Sequence, residues 1–433
     1  MEVTSKKIKE QKTAIAFLSG SAGELDWILP IIERLSQKQL NIMIIFLTKH
    51  ARFSVDANQM LSDYIFNKNK NIKVFFSYGF LFEKMEHLGY LVYRLSLKLK
   101  LRKSIFGRAI FNIIDFPFKC LFFINLPKSI KNLSAEKCLL FSEYPSLRRP
   151  RDRWLKNFFK KSIFFYCPHS PHVYADDLDE TYNEPIKPNL IKKYFLLMGH
   201  PADFAAINDN KELSNPNLEK LFIGHPKYSD EWLHDLRENS RKFKSSHNKR
   251  NTTNILVLSR GIGSYLDEYS HKLLVENTIN IISKNIKNFK LIIKKHPREI
   301  DSHWDNLKED YSEVELINDH ILNLSTKADF VVSFWSSGAM DCFLLGLPVI
   351  EFFDPNKNSK QQIYEGNSFT TIYRKLGIVI PASCSAELDE AVSFLIRNNF
   401  TYAPLTHNFF DDIIMRSNTW IENFDQILDT HEI

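Results

Sequence analysis

Three short clusters in this chain combine residue types that can bind phosphate or move protons. KLIIKKHPRE, Lys290 to Glu299, is an apolar run that ends in Lys294, Lys295, His296, Pro297 and Arg298. Basic groups at the C-terminal end of a buried strand are positioned to meet a pyrophosphate. Further along, ADFVVSFWSSGAMDCFLLGLPVIEFF, Ala328 to Phe353, reads as strand, helix and strand. Ser336, Ser337 and Gly338 open that helix. Unpaired backbone N–H groups and a partial positive charge at a helix start favour an anion. The two hydroxyls add donors, and either serine is equally suited to cap the helix.

The third cluster is LSGSAGELDWILPIIERL, Leu18 to Leu35: a strand end, a small-residue loop and a helix that starts at Glu24. A carboxylate there is placed to act as a general base, or simply to favour the helix dipole. Other candidates stand at strand ends. Arg260 and Gly261 follow NILVLS and could line phosphates from the opposite side. Glu143 and His169 end strands of the first half and could face an acceptor. Glu351, with Asp354, ends the strand after the SSG helix and could hold a hydroxyl of the donor.

These residues need a scaffold of alternating strands and helices. TAIAFLSG, a helical LDWILPIIERLSQKQL and NIMIIFLT form a strand–helix–strand opening typical of a parallel sheet. Pro30 is expected to kink or break that helix. Short apolar runs return at NIKVFFSY, KCLLFSEY, SIFFYCPH, YFLLMGH and KLFIGHP. The polar stretch from Arg237 to Asn254 separates this half from a second one. The second half runs NILVLSRG, a long helix, KLIIKKHP, VELIND, DFVVSFW, the SSG helix and LPVIEFF.

The expected organisation is therefore an α/β chain of two Rossmann-like domains facing across a cleft. Residues 1–236 form the acceptor-side domain, 237–254 the linker and 255–404 the nucleotide-donor domain. Residues 405–433 form a terminal helix that packs back on the first domain. This plan resembles the GT-B glycosyltransferases.

The resemblance becomes more specific between about residues 255 and 355. A K-x-H-P strand end, the D-x-x-x-S-x-x-S-S loop from Asp329 to Ser337, and a Gly-x-Pro-[VI] strand start are similar to the donor half of several bacterial surface-polysaccharide families. These are the CDP-glycerol glycerophosphotransferases, the capsule Kdo transferases and the sialyl- and polysialyltransferases. The resemblance implies that His296, Ser336 and Ser337 contact a CMP- or CDP-activated donor; a UDP-activated donor is also expected as an alternative, and Lys294, Arg298 and Gly338 stand beside the three residues in the sequence. Ser333-Phe334-Trp335 stands where glycerophosphotransferases often carry an acid. The Ser21–Gly23–Glu24 loop is similar to the opening of lipid A Kdo transferases, whose glutamate is the catalytic base. UDP-sugar 2-epimerases also open with a Ser-Gly-Ser loop. The expected activity is an inverting, metal-independent glycosyl transfer in cell-surface polysaccharide synthesis. The alternatives are glycerophosphotransfer, 2-epimerisation of UDP-N-acetylglucosamine, and a non-catalytic subunit that only binds. The nucleotide-sugar donor is a substrate, so no separate cofactor is expected.

Composition narrows the partners. The chain has 433 residues, 44% hydrophobic and 25% charged, in the globular range. Five scattered cysteines without a CxxC pair argue against a disulfide framework or a zinc site. The polar N-terminus lacks the apolar core of a signal peptide, which points to a cytoplasmic protein. Ala109 to Leu126 is apolar but contains Asp115, Pro117 and Lys119, which disfavours a span. The net charge of +6 is uneven. Arg94 to Arg108 carries basic residues and no acid, interleaved with leucines, as either a solvated helix or a contact for an anionic membrane surface or an anionic glycan. No nucleic-acid motif accompanies it, so nucleic acid is not an expected partner. A glycan or glycolipid acceptor is.

Overall fold

The computed structural model describes residues 12–68, 71–77, 126–143, 150–168, 189–202, 217–241, 252–262, 266–296, 299, 302–357 and 370–433, with isolated positions between 113 and 124. Two parallel sheets organise them. The first has seven strands: β1 (Thr13–Leu18), β2 (Asn41–Phe46), β3 (Ile72–Phe76), β4 (Leu139–Ser142), β5 (Ile163–Tyr166), β6 (Tyr194–Met198) and β7 (Leu218–Phe222). Their order is β3-β2-β1-β4-β5-β6-β7. The second has six: β8 (Thr253–Leu258), β9 (Phe289–Lys294), β10 (Val314–Leu316), β11 (Phe330–Ser333), β12 (Val349–Phe352) and β13 (Ile380–Ala382). Their order is β10-β9-β8-β11-β12-β13.

A parallel sheet is covered on both faces, so its strands read as continuous apolar runs. Every residue of β1 is buried. Ala14, Ala16 and Leu18 join one apolar cluster, and Ile15 and Phe17 join another. This is the two-residue alternation of a strand packed on both sides. β8 repeats the pattern, with Leu256 and Leu258 on one side and Ile255 and Val257 on the other. The helix Ala22–Gln37 covers β1 with Leu25, Ile28, Leu29, Ile32 and Leu35. Pro30 lies inside this helix without ending it.

Each sheet reverses strand order once, between β1 and β4 in the first and between β8 and β11 in the second. Loops at the carboxyl ends of strands flanking such a reversal diverge and leave a crevice. In register, Leu258 lies opposite Lys294 of β9 on one side and Ser333 of β11 on the other. The second-half strand ends named from sequence therefore emerge along one edge.

The helix Asp230–Arg241 extends five residues into the polar stretch, and β8 begins at Thr253; residues 242–251 lie outside the described residues. Asp230 and Glu231 in its first turn oppose the helix dipole's positive end. The chain ends in two helices, Asn408–Asn418 and Trp420–Thr430. Asp425 pairs with Arg34 and with Lys38, the latter at 3.1 Å. The Phe424 ring meets Phe165 at 5.5 Å, and Ser417 Oγ accepts from the His225 backbone at 2.9 Å. Among the described residues no helix is long and apolar enough to cross a membrane.

Candidate functional site

A cavity of about 390 Å³ is lined by both halves of the chain. The first contributes the loop Ser19–Glu24 with Asp26, Trp27, His50, Glu143 and Lys227. The second contributes Lys294, Lys295, His296, His320, Ser336, Ser337, Gly338 and Asp341.

Glu24 sits at the start of its helix, behind the N-cap Ser21, whose hydroxyl accepts from Gly23 N at 3.3 Å. Its Oε2 accepts the Ser19 backbone N–H at 2.6 Å and its Oε1 the Ser19 hydroxyl at 3.2 Å. A Cβ on Gly20 would lie 2.4 Å from Glu24 Oε1, so the glycine lets the carboxylate approach the loop. Burial raises the Glu24 carboxyl above its ordinary value, and the hydrogen-bonded Glu143 carboxylate raises it further; the Ser19 and Gly20 N–H groups oppose both. A carboxylate held this way takes up a proton more readily than an exposed one.

Lys294 Nζ donates to the Asp319 carbonyl at 2.7 Å, and burial lowers its proton affinity against the opposing pull of Asp319. Lys295 instead turns to Asp305, at 2.7 and 2.9 Å. Strand alternation separates the two. The His296 loop is anchored from beneath by Glu299, which the sequence reading passed over. Its Oε1 accepts from Ser259 Oγ at 2.9 Å and Ser302 Oγ at 2.5 Å and lies 3.2 Å from His271 Nε2. Its Oε2 accepts the His296 backbone N–H at 3.1 Å. Burial works against the ionised Glu299, but these four groups more than offset it and hold the carboxyl below its usual value.

The helix that begins at Gly338 is short, Gly338–Leu344. Ser337 occupies its N-cap position without a side-chain cap bond, and Ser336 Oγ accepts from Gly338 N at 3.3 Å. Seven residues align few peptide dipoles, so any anion here would depend mainly on hydroxyls and on Lys294 and His296.

Three expected donor residues have other duties. Arg260 stacks over the Trp335 ring at 4.6 Å and donates to the Trp335 carbonyl at 2.7 Å. Trp335 has a φ of 58°, in the left-handed region, and Arg260 with the Phe353 ring, 5.3 Å away, holds it there. A Cβ on Gly261 would lie 3.0 Å from Glu299 Cα, so this glycine makes room for the Glu299 turn rather than for a ligand. Glu351 is fully buried and does not line the cavity. It accepts from Arg374 Nε at 2.7 Å and Thr371 Oγ1 at 2.6 Å. Burial raises its carboxyl in spite of Arg374. Its role is to fix the segment after β12. His169, Arg298 and the basic stretch 94–108 lie outside the described residues.

The sequence reading also passed over a charged group between the halves. Lys227 Nζ lies 2.6 Å from Asp26 Oδ2 and 2.9 Å from Asp341 Oδ1. His320 Nε2 lies 2.9 Å from Asp26 Oδ1. Burial would raise the Asp26 carboxyl, but Lys227 and His320 outweigh it and keep it well below the carboxylate range. No local pattern marked these residues, because they come from four separate segments.

Two Rossmann-like domains of parallel strands, with a shared cavity at their strand ends, define the GT-B fold. Two solved structures agree with that fold at low sequence identity. UDP-GlcNAc 2-epimerase from Neisseria meningitidis, bound to UDP-GlcNAc, is 12% identical with a TM-score of 0.51, covering 97% of this chain and 99% of that one. UDP-N-acetylglucosamine 2-epimerase from Rickettsia bellii is 11% identical with a TM-score of 0.51, covering 97% and 96%. The wall teichoic acid polymerase TagF is 11% identical with a TM-score of 0.48, covering 96% and 83%. No protein-family profile matches the chain, and no curated protein matches it in sequence.

Proposed function

We propose that this chain is an inverting, metal-independent glycosyltransferase that uses a nucleotide-activated sugar, with a CMP, CDP or UDP leaving group, in cell-surface polysaccharide synthesis. The observation that carries the reading is the polarity of the shared cavity. A hydrogen-bonded carboxylate pair, Glu24 and Glu143, lies on one side, and Lys294, His296, Ser336 and Ser337 lie on the other. In the proposed step Glu24 takes the proton of an acceptor hydroxyl, and the acceptor oxygen attacks the anomeric carbon from the face opposite the leaving group. The bond from that carbon to the phosphate oxygen breaks. Its electron pair leaves on the nucleotide, where Lys294, His296 and the two hydroxyls stabilise the charge. Enclosure between the domains keeps water from the activated donor.

Titration calorimetry with CMP, CDP, UDP and GDP tests the donor half. At least one should bind, and His296→Ala should weaken it by about 1.5–3 kcal/mol, the worth of a hydrogen bond to a charged group. Ser337→Leu should abolish binding by filling the phosphate space. If none of the four nucleotides binds the wild type, the non-catalytic reading replaces this one. Conversion of UDP-N-acetylglucosamine to its 2-epimer without an acceptor would favour an isomerase, in which the paired carboxylates move a carbon-bound proton.

A further inference from the structure

The charged group between the domains has a geometry that neither stability nor the proposed chemistry by itself requires. Lys227 follows β7, in the turn Pro226–Tyr228 of the first domain. Asp26 lies in the helix Ala22–Gln37, two residues beyond Glu24. Asp341 lies in the first turn of Gly338–Leu344, and His320 caps the helix Ile321–Ser325; both belong to the second domain. A single ammonium therefore binds both the helix that carries Glu24 and the helix that starts at the Ser336–Ser337 loop. Asp26 adds a second crossing through His320. The side chains of Lys227, Asp26 and Asp341 are 7%, 10% and 10% exposed, and the ammonium lies 5.4 Å from the Trp27 ring.

Burying three charges costs desolvation that their attraction seldom exceeds, and well-packed apolar residues would serve stability as well or better. In some proteins a buried ionic group instead specifies one arrangement of the elements it joins. The elements joined here are the two that carry the opposite sides of the cavity. Opening the cleft would part Lys227 from Asp341 and His320 from Asp26, while leaving Lys227 and Asp26 together in the first domain.

We propose that Lys227 is a positioning residue: by clasping Asp26 and Asp341 it holds the domains closed and sets the Glu24 side of the cavity against the donor side. This rests on the transferase reading for its catalytic consequence, but not for the closure itself. Domain pairs move relative to each other unless their interface is large and apolar; one apolar cluster holds residues of both halves here, and the Lys227 clasp adds a directional contact to that packing. Catalytic groups displaced by about 1 Å can lose roughly a hundredfold in rate. Donor binding should suffer less, because Lys294, His296 and the serines all belong to the second domain.

The test uses the full chain and the variant Asp26→Asn/Lys227→Met/Asp341→Asn, which removes Lys227 together with both of its carboxylate partners and leaves His320 and the neighbouring Lys294 in place. Asp341→Asn alone is the second variant. It keeps the Lys227–Asp26 pair and the Asp26–His320 crossing and removes only the ionic Lys227–Asp341 crossing, so it remains informative if the triple variant fails to fold. Small-angle X-ray scattering should show a larger radius of gyration for the variants. With UDP- or CDP-activated donors, kcat should fall roughly a hundredfold while KM for the donor stays within about threefold. An unchanged radius of gyration in folded variants overturns the proposal, as does a loss of nucleotide affinity that matches the loss of kcat. If the wild type binds no nucleotide, the transferase reading fails, and scattering alone still decides whether Lys227 holds the domains closed.

Discussion

Replacing Glu299 with alanine should destabilise the second domain by several kcal/mol, although this residue is proposed to touch neither donor nor acceptor. The side chain is buried, and its two oxygens satisfy Ser259, Ser302, His271 and the His296 backbone N–H. Each stranded buried donor costs about 1–3 kcal/mol. The two hydroxyls can rotate, and Ser259 Oγ keeps its bond from Trp304 Nε1 at 3.1 Å, so the four losses will not add in full. Removing one partner of a buried charged network costs about 3–5 kcal/mol, and that is the expected loss. Domain stabilities are about 5–15 kcal/mol, so the urea midpoint should fall visibly. The Trp304 indole is fully buried against this network, which makes intrinsic fluorescence a suitable probe of the transition. The sign of the pH dependence follows from the lowered carboxyl. A group with a depressed folded pKa stabilises fully above its unfolded value, about 4.3, and loses that contribution as pH falls through the folded value. The gap between wild type and variant should therefore stay constant from pH 8 to about 5 and narrow below that. A loss under about 1 kcal/mol, or a gap that widens in acid, would refute the view that Glu299 anchors the His296 loop.

Two other perturbations test separate parts of the argument. Glu24→Gln should lower turnover by roughly 10²–10⁴-fold with nucleotide affinity unchanged. Because burial and Glu143 raise the Glu24 carboxyl, wild-type turnover should fall on the acid side at a pH above the ordinary carboxylate value, and the variant's residual rate should lack that limb; a normal rate in the variant would move the base role to Glu143 or His169. Gly224→Ala should loosen the terminal helices, since Gly224 has a φ of 80° and a new Cβ would lie 2.3 Å from Ser417 N. The left-handed backbone alone should cost more than about 1 kcal/mol, so an unchanged melting temperature, with unchanged hydrogen exchange in residues 408–430, would count against this docking.

Most of the scaffold was legible because parallel strands buried on both faces are continuous apolar runs. Every strand from β1 to β12 overlaps a run named from the sequence, although β3, β7 and β10 carry Lys73, Glu219 with Lys220, and Glu315 and are only partly buried. β13 was not legible: Ile380–Ala382 is three residues long and contains Pro381, which removes a ladder donor. A strand like that exists because β12 offers it an edge, which is tertiary information. The uninterrupted helix at Pro30 has a similar cause. A proline is expensive inside an isolated helix, yet this one is flanked by buried Leu29, Ile31 and Ile32, whose packing can outweigh it.

The candidate site divides along the same physical line. Glu24, Lys294, His296, Ser336, Ser337 and Gly338 were visible because each lies at the end of an apolar run or in the loop and helix start that follow one, and strand ends are where a parallel sheet builds a crevice. The same rule overreached at Arg260, Gly261 and Glu351. Strand-end position says where a residue emerges, but not whether its polar atoms are already taken. Arg260 donates to the Trp335 carbonyl and stacks on its ring, Gly261 makes room for the Glu299 turn, and Glu351 pairs with Arg374. Lys227, Asp26, His320 and Asp341 show the converse. Each looks like an ordinary polar residue of a helix or turn, and only the meeting of two domains makes them one buried group. Pairing across a domain boundary has no period and no fixed spacing, so sequence reasoning can name the groups on either side of the cavity but not the contact that fixes their separation. That separation controls whether a base and a donor phosphate act on the same molecule. The most consequential contact of the proposed enzyme is therefore the one with the weakest local signature.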